Sequence, residues 1–338
     1  MIEIDGSYGS GGGQIIRTAL ALSAITGKAF RITNIRAKRK NPGLAHQHLC
    51  AVNAVAQLCN AKVHGNFLGS KELQFEPGKI ETKKLKINIG TAGSISLVLQ
   101  ALMPALTTIT EPTEVEIVGG TDVEMAPSID YLRNVLLKLL EKINYKAELK
   151  ILRRGFFPKG NGKIIFMTEP MKLKRYDFKQ RGELLQIKGI SVASTDLKKA
   201  KVAERQANEA KKLLQLKVPI EIEEKYVEAS SAGSVITLWS EFENSILGSC
   251  TVGKRSKPSE KVAAEAANSL LQELKSNAVV DFHAADQLLP YFALVGGYLK
   301  TSKISEHAKT NAFVIEKFLP VSFEINEEKG EIRAMLQK

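Results

Sequence analysis

The sequence predicts a mixed α/β protein built from three similar units and one inserted segment. Apolar helical stretches alternate with short β-rich stretches, an order typical of layered α/β architecture. The first two units begin roughly 80–90 residues apart, a spacing that indicates internal duplication. The third unit begins roughly 100 residues later than this period requires, which predicts an insertion with its own fold.

Each unit shows a small-residue or glycine-rich turn, an apolar helix, a polar loop, a second helix and a β-rich tail. In the first unit we predict helix 14–26, strand 29–35, helix 44–58 and strand 61–64. In the second we predict helix 95–106, strand 114–118 and helix 127–143. In the third, an apolar run covers 287–295, a helix opens at Thr310-Asn311 and ends at 318, and a strand covers 321–326.

The inserted segment has a pattern of its own, with strand 184–191, helix 198–216, strands 220–227 and 234–240, and helix 261–274. We therefore expect a large domain of residues 1–181 and 277–338, and a smaller α/β domain of residues 182–276. The alternative is an irregular extension of one domain.

Composition favours a polyanionic partner. The 338 residues carry a net charge of +12, which attracts nucleic acid, nucleotides or anionic lipid, although a Lys-rich protein without such a partner is the alternative. Three scattered cysteines and no CxxC pair predict neither a disulfide framework nor a zinc site. We expect no signal peptide and no membrane span, and hence a cytoplasmic protein.

Two glycine-rich or basic segments suit phosphate binding. Gly11-Gly12-Gly13 precedes a helix, where backbone N–H groups and the helix dipole favour an anion; a tight structural turn is the alternative. The basic run 36–40 and Arg17 offer guanidinium groups for bidentate phosphate contacts, unless the run is only a solvated loop. The loop 153–162 is also basic and rich in Gly and Pro, which marks a defined turn.

Near the C-terminus, His307 precedes the candidate N-caps Thr310 and Asn311. Such a position can present an imidazole to a cleft, where helix N–H groups also hold phosphate. A lone histidine in a loop is more often simply exposed.

Taken together, these segments resemble the RNA 3′-terminal phosphate cyclase family over essentially the whole chain. No single piece suffices, but their joint order is specific. The pieces are Asp5-Gly6-Ser7 with Gly11 to Thr18, Ile35-Arg36-Ala37 with Pro42-Gly43-Leu44, Gln47-His48-Leu49, Thr91-Ala92-Gly93-Ser94 with Gln100, Gly119-Gly120-Thr121-Asp122, Arg154-Gly155-x-x-Pro158-x-Gly160-x-Gly162, Asp286-Gln287 and His307-x-x-Thr310-Asn311.

The resemblance implies a large domain of three repeated βα units, a smaller inserted α/β domain, and a three-step ATP-dependent reaction on RNA. His307 attacks the α-phosphorus of ATP and releases pyrophosphate, and the AMP then passes to an RNA 3′-phosphate. The neighbouring 2′-OH closes a 2′,3′-cyclic phosphate and expels AMP. RNA with a 3′-phosphate, ATP and a divalent metal (Mg²⁺ or Mn²⁺) are the implied partners, and the oligomeric state is left open.

By position, the resemblance assigns His307 as the catalytic residue and distributes two further groups around it. The implied ATP-binding residues are Gln100, Pro127, His283, Ala284, Ala285, Asp286, Gln287 and Tyr291. The implied phosphate- or RNA-binding residues are Arg17, Arg36, Arg39, Gln47 and His48. A structural role is the alternative for each of them.

One position departs from the family pattern. The family commonly has Glu before its three glycines as a candidate metal ligand, and this chain has Ser10. The metal ligands are therefore unknown, with phosphates, water or another carboxylate such as Asp286 as the possibilities.

Three other functions remain open. A cyclase-like ribosome-biogenesis factor shares the fold but lacks the nucleophilic histidine. A passive RNA-binding module would need no ATP and would show strong salt dependence. A carboxyvinyl transferase has a similar repeat topology, which is an analogy of fold alone.

Overall fold

Three four-stranded sheets of the chain share one strand order. In each, the first strand is parallel to the second, while the second and third strands each pair antiparallel with the fourth. The computed structural model describes residues 1–81 and 83–337, and within them the protein is mixed α/β, as the sequence predicts.

The first two units each run strand, helix, strand, helical segment, strand, strand. The first consists of β1 (Ile2–Asp5), α1 (Gln14–Thr26), β2 (Phe30–Thr33), α2 (His46–Cys59), β3 (Lys62–His64) and β4 (Leu73–Glu76). The second consists of β5 (Lys84–Asn88), α3 (Ile95–Ala105) with a 3₁₀ turn (Leu106–Thr108), β6 (Thr113–Gly119), α4 (Ile129–Tyr131), a π-helical turn (Leu132–Leu136), α5 (Leu137–Lys142), β7 (Ala147–Arg153) and β8 (Gly162–Thr168).

The inserted segment interrupts the third unit after its first strand. That strand, β9 (Tyr176–Phe178), precedes the insertion and pairs in parallel with residues 297–299, which follow it. The segment consists of β10 (Leu184–Ser194), a 3₁₀ turn (Thr195–Leu197), α6 (Val202–Leu214), β11 (Ile220–Val227), β12 (Ser234–Phe242), β13 (Ile246–Val252) and α7 (Ser259–Lys275). The third unit then resumes with α8 (Phe282–Val295), β14 (Gly297–Lys300), α9 (Glu306–Phe318), β15 (Val321–Asn326) and β16 (Glu331–Leu336).

The helices of the three units pack against one another. Helix α1 contacts α3 and α9, and α8 contacts both α3 and α9. Strands β6 and β8 alternate buried and half-buried side chains, the pattern of an antiparallel sheet with one covered face. The packing brings helices from all three units to one place.

The inserted segment has its own sheet, in the order β11-β10-β12-β13, with α6 and α7 packed on it. A separate buried cluster that includes Ile187, Leu238 and Leu270 lies inside it. It docks on the second unit where the Phe156 ring fills the space that a Cβ at Gly233 would occupy. The domain boundaries near 182 and 276 stay a prediction.

Among the helices that start away from their predicted positions, two bear on the site described below. Helix α8 begins at Phe282 because the Asp281 carboxylate accepts hydrogen bonds from the N–H groups of His283 and Ala284. Helix α9 begins at Glu306 because the Ser305 hydroxyl accepts from the Ala308 N–H. His307 therefore lies in the first turn of α9, and its expected position in a loop ahead of Thr310 was wrong.

None of the helices in residues 1–81 and 83–337 is both long and apolar enough to span a bilayer.

Candidate functional site

A cavity of about 450 Å³, the inner cavity, opens where α1, α3, α8 and α9 meet. Each helix contributes a polar side chain to its wall. They are Arg17 from α1, Gln100 from α3, Asp286 from α8 and His307 from α9.

The glycine-rich turn lies beside this cavity and is held close to α9. Tyr8 stacks on Phe313 with ring centroids 3.7 Å apart. A Cβ at Gly13 would lie 1.9 Å from His48 Nε2, so only glycine allows this approach of the turn to α2. Gly13 is also the N-cap of α1 and provides no side chain to bond the first N–H groups of that helix. These N–H groups suit an anion.

Three polar side chains connect α1, α8 and α9. Gln14 Nε2 donates to the His307 carbonyl at 2.8 Å. Thr18 Oγ1 donates to Asn311 Oδ1 at 2.8 Å, and Asn311 Nδ2 donates to the Asp286 carbonyl at 3.0 Å. The backbone that carries His307 and Asp286 is therefore tied directly to the helix that carries Arg17.

Arg17 and Asp286 lie near each other in the wall of the inner cavity without forming a salt bridge. Burial lowers the pKa of Arg17 to about 10, and burial raises the pKa of Asp286 to about 7, although each charge partly opposes the shift of the other. Close pairing would shift both pKa values in the opposite directions. Arg17 makes no salt bridge with a carboxylate in the described part of the chain, so it is available to an incoming polyanion.

The His307 imidazole is half exposed in the inner cavity, and Nδ1 lies 3.7 Å from Asp286 Oδ2. Partial burial, followed by the positive charges of Arg17 and Arg39, lowers the pKa of His307 below the usual 6.5. The ring is consequently neutral at pH 7, which is the nucleophilic form of histidine.

Much of the remaining wall of the inner cavity is apolar. Pro127 and Tyr291 line it together with Leu97, Met103, Met125, Ala126, Leu136 and Pro290. Tyr291 is buried and packs edge-on against Tyr145, with ring centroids 5.5 Å apart. The cavity wall thus offers apolar side chains that suit a flat ring and cationic or polar side chains that suit an anion.

A short hydrogen-bond chain crosses the middle of the inner cavity. Gln100 Nε2 donates to Gln287 Oε1 at 2.7 Å, and Gln287 Nε2 donates to the His283 carbonyl at 2.7 Å. The chain orients two amide groups toward the cavity, where they can accept from or donate to a ligand.

Two residues of the implied ATP-binding stretch point elsewhere. His283, Asp286 and Gln287 line the inner cavity, but the side chains of Ala284 and Ala285 are buried in the core. On a helix, positions i, i+3 and i+4 share a face, whereas i+1 and i+2 do not. Any contact of Ala284 or Ala285 with a nucleotide would therefore come from the backbone, and their assignment to ATP binding stays a prediction.

Four of the implied phosphate-binding residues surround the turn without lining the inner cavity. Arg39 lies near Gly12, and Arg36 donates to the Gly43 carbonyl at 2.7 Å. Gln47 Oε1 accepts from the Ser94 N–H at 3.3 Å. Burial, with Arg17 and Arg36, lowers the pKa of His48 to about 3, so this ring is neutral and cannot bind phosphate as a cation.

Sequence reasoning missed several residues that line the inner cavity. Gln14 and Thr18 share a helix face with Arg17, and Pro290 shares one with His283 and Asp286, so helical periodicity could have found them. Tyr131 and Cys250 come from α4 and the inserted β13, and no local pattern connects them to this cavity.

The residues present do not form a cage for a metal ion. No group of three or more His, Cys, Asp or Glu side chains comes together in residues 1–81 and 83–337. Ser10, in place of the family's usual Glu, has a buried hydroxyl with no hydrogen-bond partner in the same range. One hydroxyl and the Asp286 carboxylate are fewer protein donors than a dedicated metal site uses.

Comparison with known proteins agrees with the resemblance that the motifs predict. The family model described as RNA 3′-terminal phosphate cyclase matches residues 8–325. The chain is 48% identical to the RNA 3′-terminal phosphate cyclase of Pyrococcus abyssi, over 98% of this chain and 97% of that protein. It is 46% identical to those of Pyrococcus furiosus, over 99% of both chains, and of Methanosarcina barkeri, over 98% of both. The chain therefore belongs to the RNA 3′-terminal phosphate cyclase family.

Proposed function

We propose that this protein is an ATP-dependent RNA 3′-terminal phosphate cyclase, with His307 as the residue that carries AMP. The observation that carries the proposal is the half-exposed, neutral His307 imidazole in a cavity that also contains Arg17. The names and full-length similarity of the relatives support the same activity.

In the first step, His307 attacks the α-phosphorus of ATP. A ring nitrogen forms an N–P bond, the α–β bridging P–O bond breaks, and pyrophosphate leaves with the electron pair. Because Nδ1 faces Asp286, we assign the attack to Nε2. Asp286 would orient the ring and stabilise the positive charge that develops on it.

In the second step, an RNA 3′-phosphate oxygen attacks the phosphorus of the histidine-linked AMP, and the N–P bond breaks. In the third, the 2′-oxygen attacks the terminal RNA phosphorus, its proton leaves, and AMP departs. The 2′-OH is part of the same nucleotide, so closure has the high effective concentration of an intramolecular reaction.

The mixed lining of the inner cavity suits ATP. Pro127 and Tyr291 would hold the adenine ring, and Gln100, His283 and Gln287 would contact other parts of the nucleotide. Arg17 and Arg39, whose charges act on His307, would neutralise the transferring phosphate. We assign contacts with the RNA end to Arg36, Gln47 and His48, the last as a neutral hydrogen-bond donor.

A divalent ion would be bound mainly by the substrate's phosphate oxygens and by water, because the protein supplies few donors. Such an ion supplies charge neutralisation at the leaving pyrophosphate.

The proposed activity is tested directly with an RNA labelled at its 3′-phosphate. Incubation with ATP should make the label resistant to phosphatase, because a cyclic phosphate is not a monoester. Omission of ATP should leave the label fully sensitive. Phosphatase-sensitive label after incubation with ATP would refute the proposed activity.

We expect self-adenylation to persist in mildly acidic solution. The lowered pKa of His307 keeps the imidazole neutral below pH 6.5, so protonation of the ring should lower the rate only at more acidic pH. A smaller decline should come first, as the Asp286 carboxylate beside Nδ1 protonates near pH 7. In Arg39→Ala, the removal of a nearby positive charge should raise the pKa of His307. The acid limb of the pH–rate profile, where protonation of His307 lowers the rate, should then move to higher pH. The measurement is the single-turnover labelling rate against pH.

Arg39→Lys is the matched control, because it retains the charge and should keep the acid limb near its wild-type position. An unchanged limb in Arg39→Ala would contradict the electrostatic role of Arg39.

We also expect an RNA that ends in a 2′-deoxyribose 3′-phosphate to be adenylated but never cyclised. This substrate retains the phosphate that accepts AMP but lacks the attacking 2′-oxygen. Thin-layer separation of the labelled ends should show a stable RNA–adenylate and no cyclic product. A cyclic product from this substrate would contradict the third step.

A further inference from the structure

A second and larger cavity, of about 1160 Å³, lies between the inserted segment and the second unit. We call it the outer groove; its walls are the loops 122–124 and 156–158, the first turn of α6, and the segment 252–259 that leads into α7. Loop 122–127 separates the two cavities, because Asp122 to Glu124 line the outer groove and Met125 to Pro127 line the inner one.

The outer groove also reaches α2. Gln47 lines the outer groove, while its neighbour His48 packs against Gly13 of the glycine-rich turn. Gln47 is one of the residues to which we assign the RNA end. The outer groove is therefore continuous with the place where the RNA 3′-phosphate must bind.

Four cationic side chains line the outer groove. Three of them, Arg205, Lys254 and Lys257, form ion pairs with glutamates. The ion pairs of Arg205 and Lys254 are exposed to solvent. Exposed pairs of this kind are weak, so phosphates can compete for their cations. The fourth, Arg255, is exposed and makes no ion pair or hydrogen bond within residues 1–81 and 83–337.

Glutamates pair with three of these four cations, so Arg255 is the positive charge that the outer groove offers without breaking an ion pair. Asp122 is fully buried and bonded to Arg154, and Glu124 pairs with Lys254. In addition, α6 and α7 begin at the groove with Val202 and Ser259, and neither helix has a side-chain N-cap bond. The positive ends of both helix dipoles thus add to the positive potential.

An exposed aromatic ring completes the lining. Phe157 is 75% exposed, which is unusual for a phenylalanine without a binding partner. Its side chain lines the wall of the groove opposite the inserted segment. Cations that follow a groove, with an aromatic ring beside them, are the combination by which proteins bind single-stranded nucleic acid.

From these observations we propose that the outer groove binds the single-stranded RNA leading to the 3′ end, with Arg255 on its phosphates and Phe157 against a base. This inference rests on the proposed function and extends it. It predicts that the protein distinguishes its substrates by the length of RNA upstream of the terminal phosphate.

The test compares 3′-phosphorylated RNAs of two lengths, a dinucleotide and an oligomer of about 12 nucleotides, within the range that one binding groove covers. In Arg255→Ala and Phe157→Ala, the KM for the oligomer should rise about tenfold, whereas the KM for the dinucleotide and the kcat for both should not change. The salt dependence of oligomer binding should weaken in Arg255→Ala by about 0.7 in slope for the lost phosphate contact.

Lys211→Ala, an exposed cation on α6 outside the groove, is the matched control and should leave both KM values unchanged. Self-adenylation without RNA should also be unchanged in every variant. A loss of self-adenylation in Arg255→Ala would indicate damaged folding, and the KM comparison is then made with the second variant, Arg255→Gln. Equal effects on both RNAs, or no effect on the oligomer, would overturn the groove assignment. If the wild-type protein fails to label with ATP, the proposed function fails, and direct binding of the two RNAs still decides the groove.

Discussion

His307→Ala is expected to abolish the labelling of the protein by ATP that carries the label at its α-phosphate. Loss of a covalent nucleophile lowers a rate by several orders of magnitude, here at least about 10⁴-fold, because no other group can form the same bond. The wild-type label should be acid-labile, as expected for a bond between histidine and phosphorus. Gel analysis after a single turnover provides the measurement.

His64→Ala is the matched control, because His64 is an exposed histidine on β3 that does not line the inner cavity. It should label like the wild type. Label that persists in His307→Ala would show that another residue is the nucleophile. A wild-type protein that binds RNA but takes no label would instead fit a passive RNA-binding module or a cyclase-like ribosome-biogenesis factor.

Arg154→Met is expected to destabilise the protein by about 3–5 kcal/mol, the cost of leaving buried charges without their partner. Arg154 is almost fully buried and reaches the buried carboxylates of Asp122 at 3.1 Å and Asp130 at 2.6 Å. Burial raises the pKa of Asp122, and the Arg154 charge opposes this rise. The free energy of unfolding in urea is the quantity to measure.

The sign of the pH effect follows from the same contacts. Without Arg154 the pKa of Asp122 should rise further, so the folded state keeps a proton that the unfolded state releases above the usual aspartate pKa of about 3.9. The loss in free energy of unfolding that Arg154→Met causes, relative to the wild type, should therefore grow as pH rises from about 4 to 7. A deficit independent of pH would contradict this electrostatic account.

Two variants separate the ion cluster from a general loss of packing. Arg153→Met changes the exposed neighbour and should alter the free energy of unfolding by no more than about 0.5 kcal/mol. Arg154→Met combined with Asp122→Asn and Asp130→Asn removes the whole cluster and should recover part of the loss.

Because Asp122 and Asp130 flank the loop that carries Pro127, we also expect a raised KM for ATP in Arg154→Met.

Local sequence determined the elements whose pattern is long enough to decide them. The helix predicted over 14–26 matches α1, and the repeated plan and the late third unit are visible as three sheets of equal order and an insertion. The sequence also predicted the family, because the family's motifs occur in order along the whole chain. Such features depend on the periodicity and order of residues along the chain, which folding does not change.

The tertiary structure alone decided the short strands and the geometry of the site. Strand β9 has three residues, and only its pairing with β14, across the inserted segment, makes it the first strand of the third unit. The caps Asp281 and Ser305 moved two helix starts and thereby decided that Asp286 faces the inner cavity while Ala284 and Ala285 face the core. The lowered pKa of His307 likewise arises from burial and then from Arg17 and Arg39, and only packing produces that burial and brings the arginines near. Burial and distance through space govern these properties, and a linear sequence specifies them only through the completed fold.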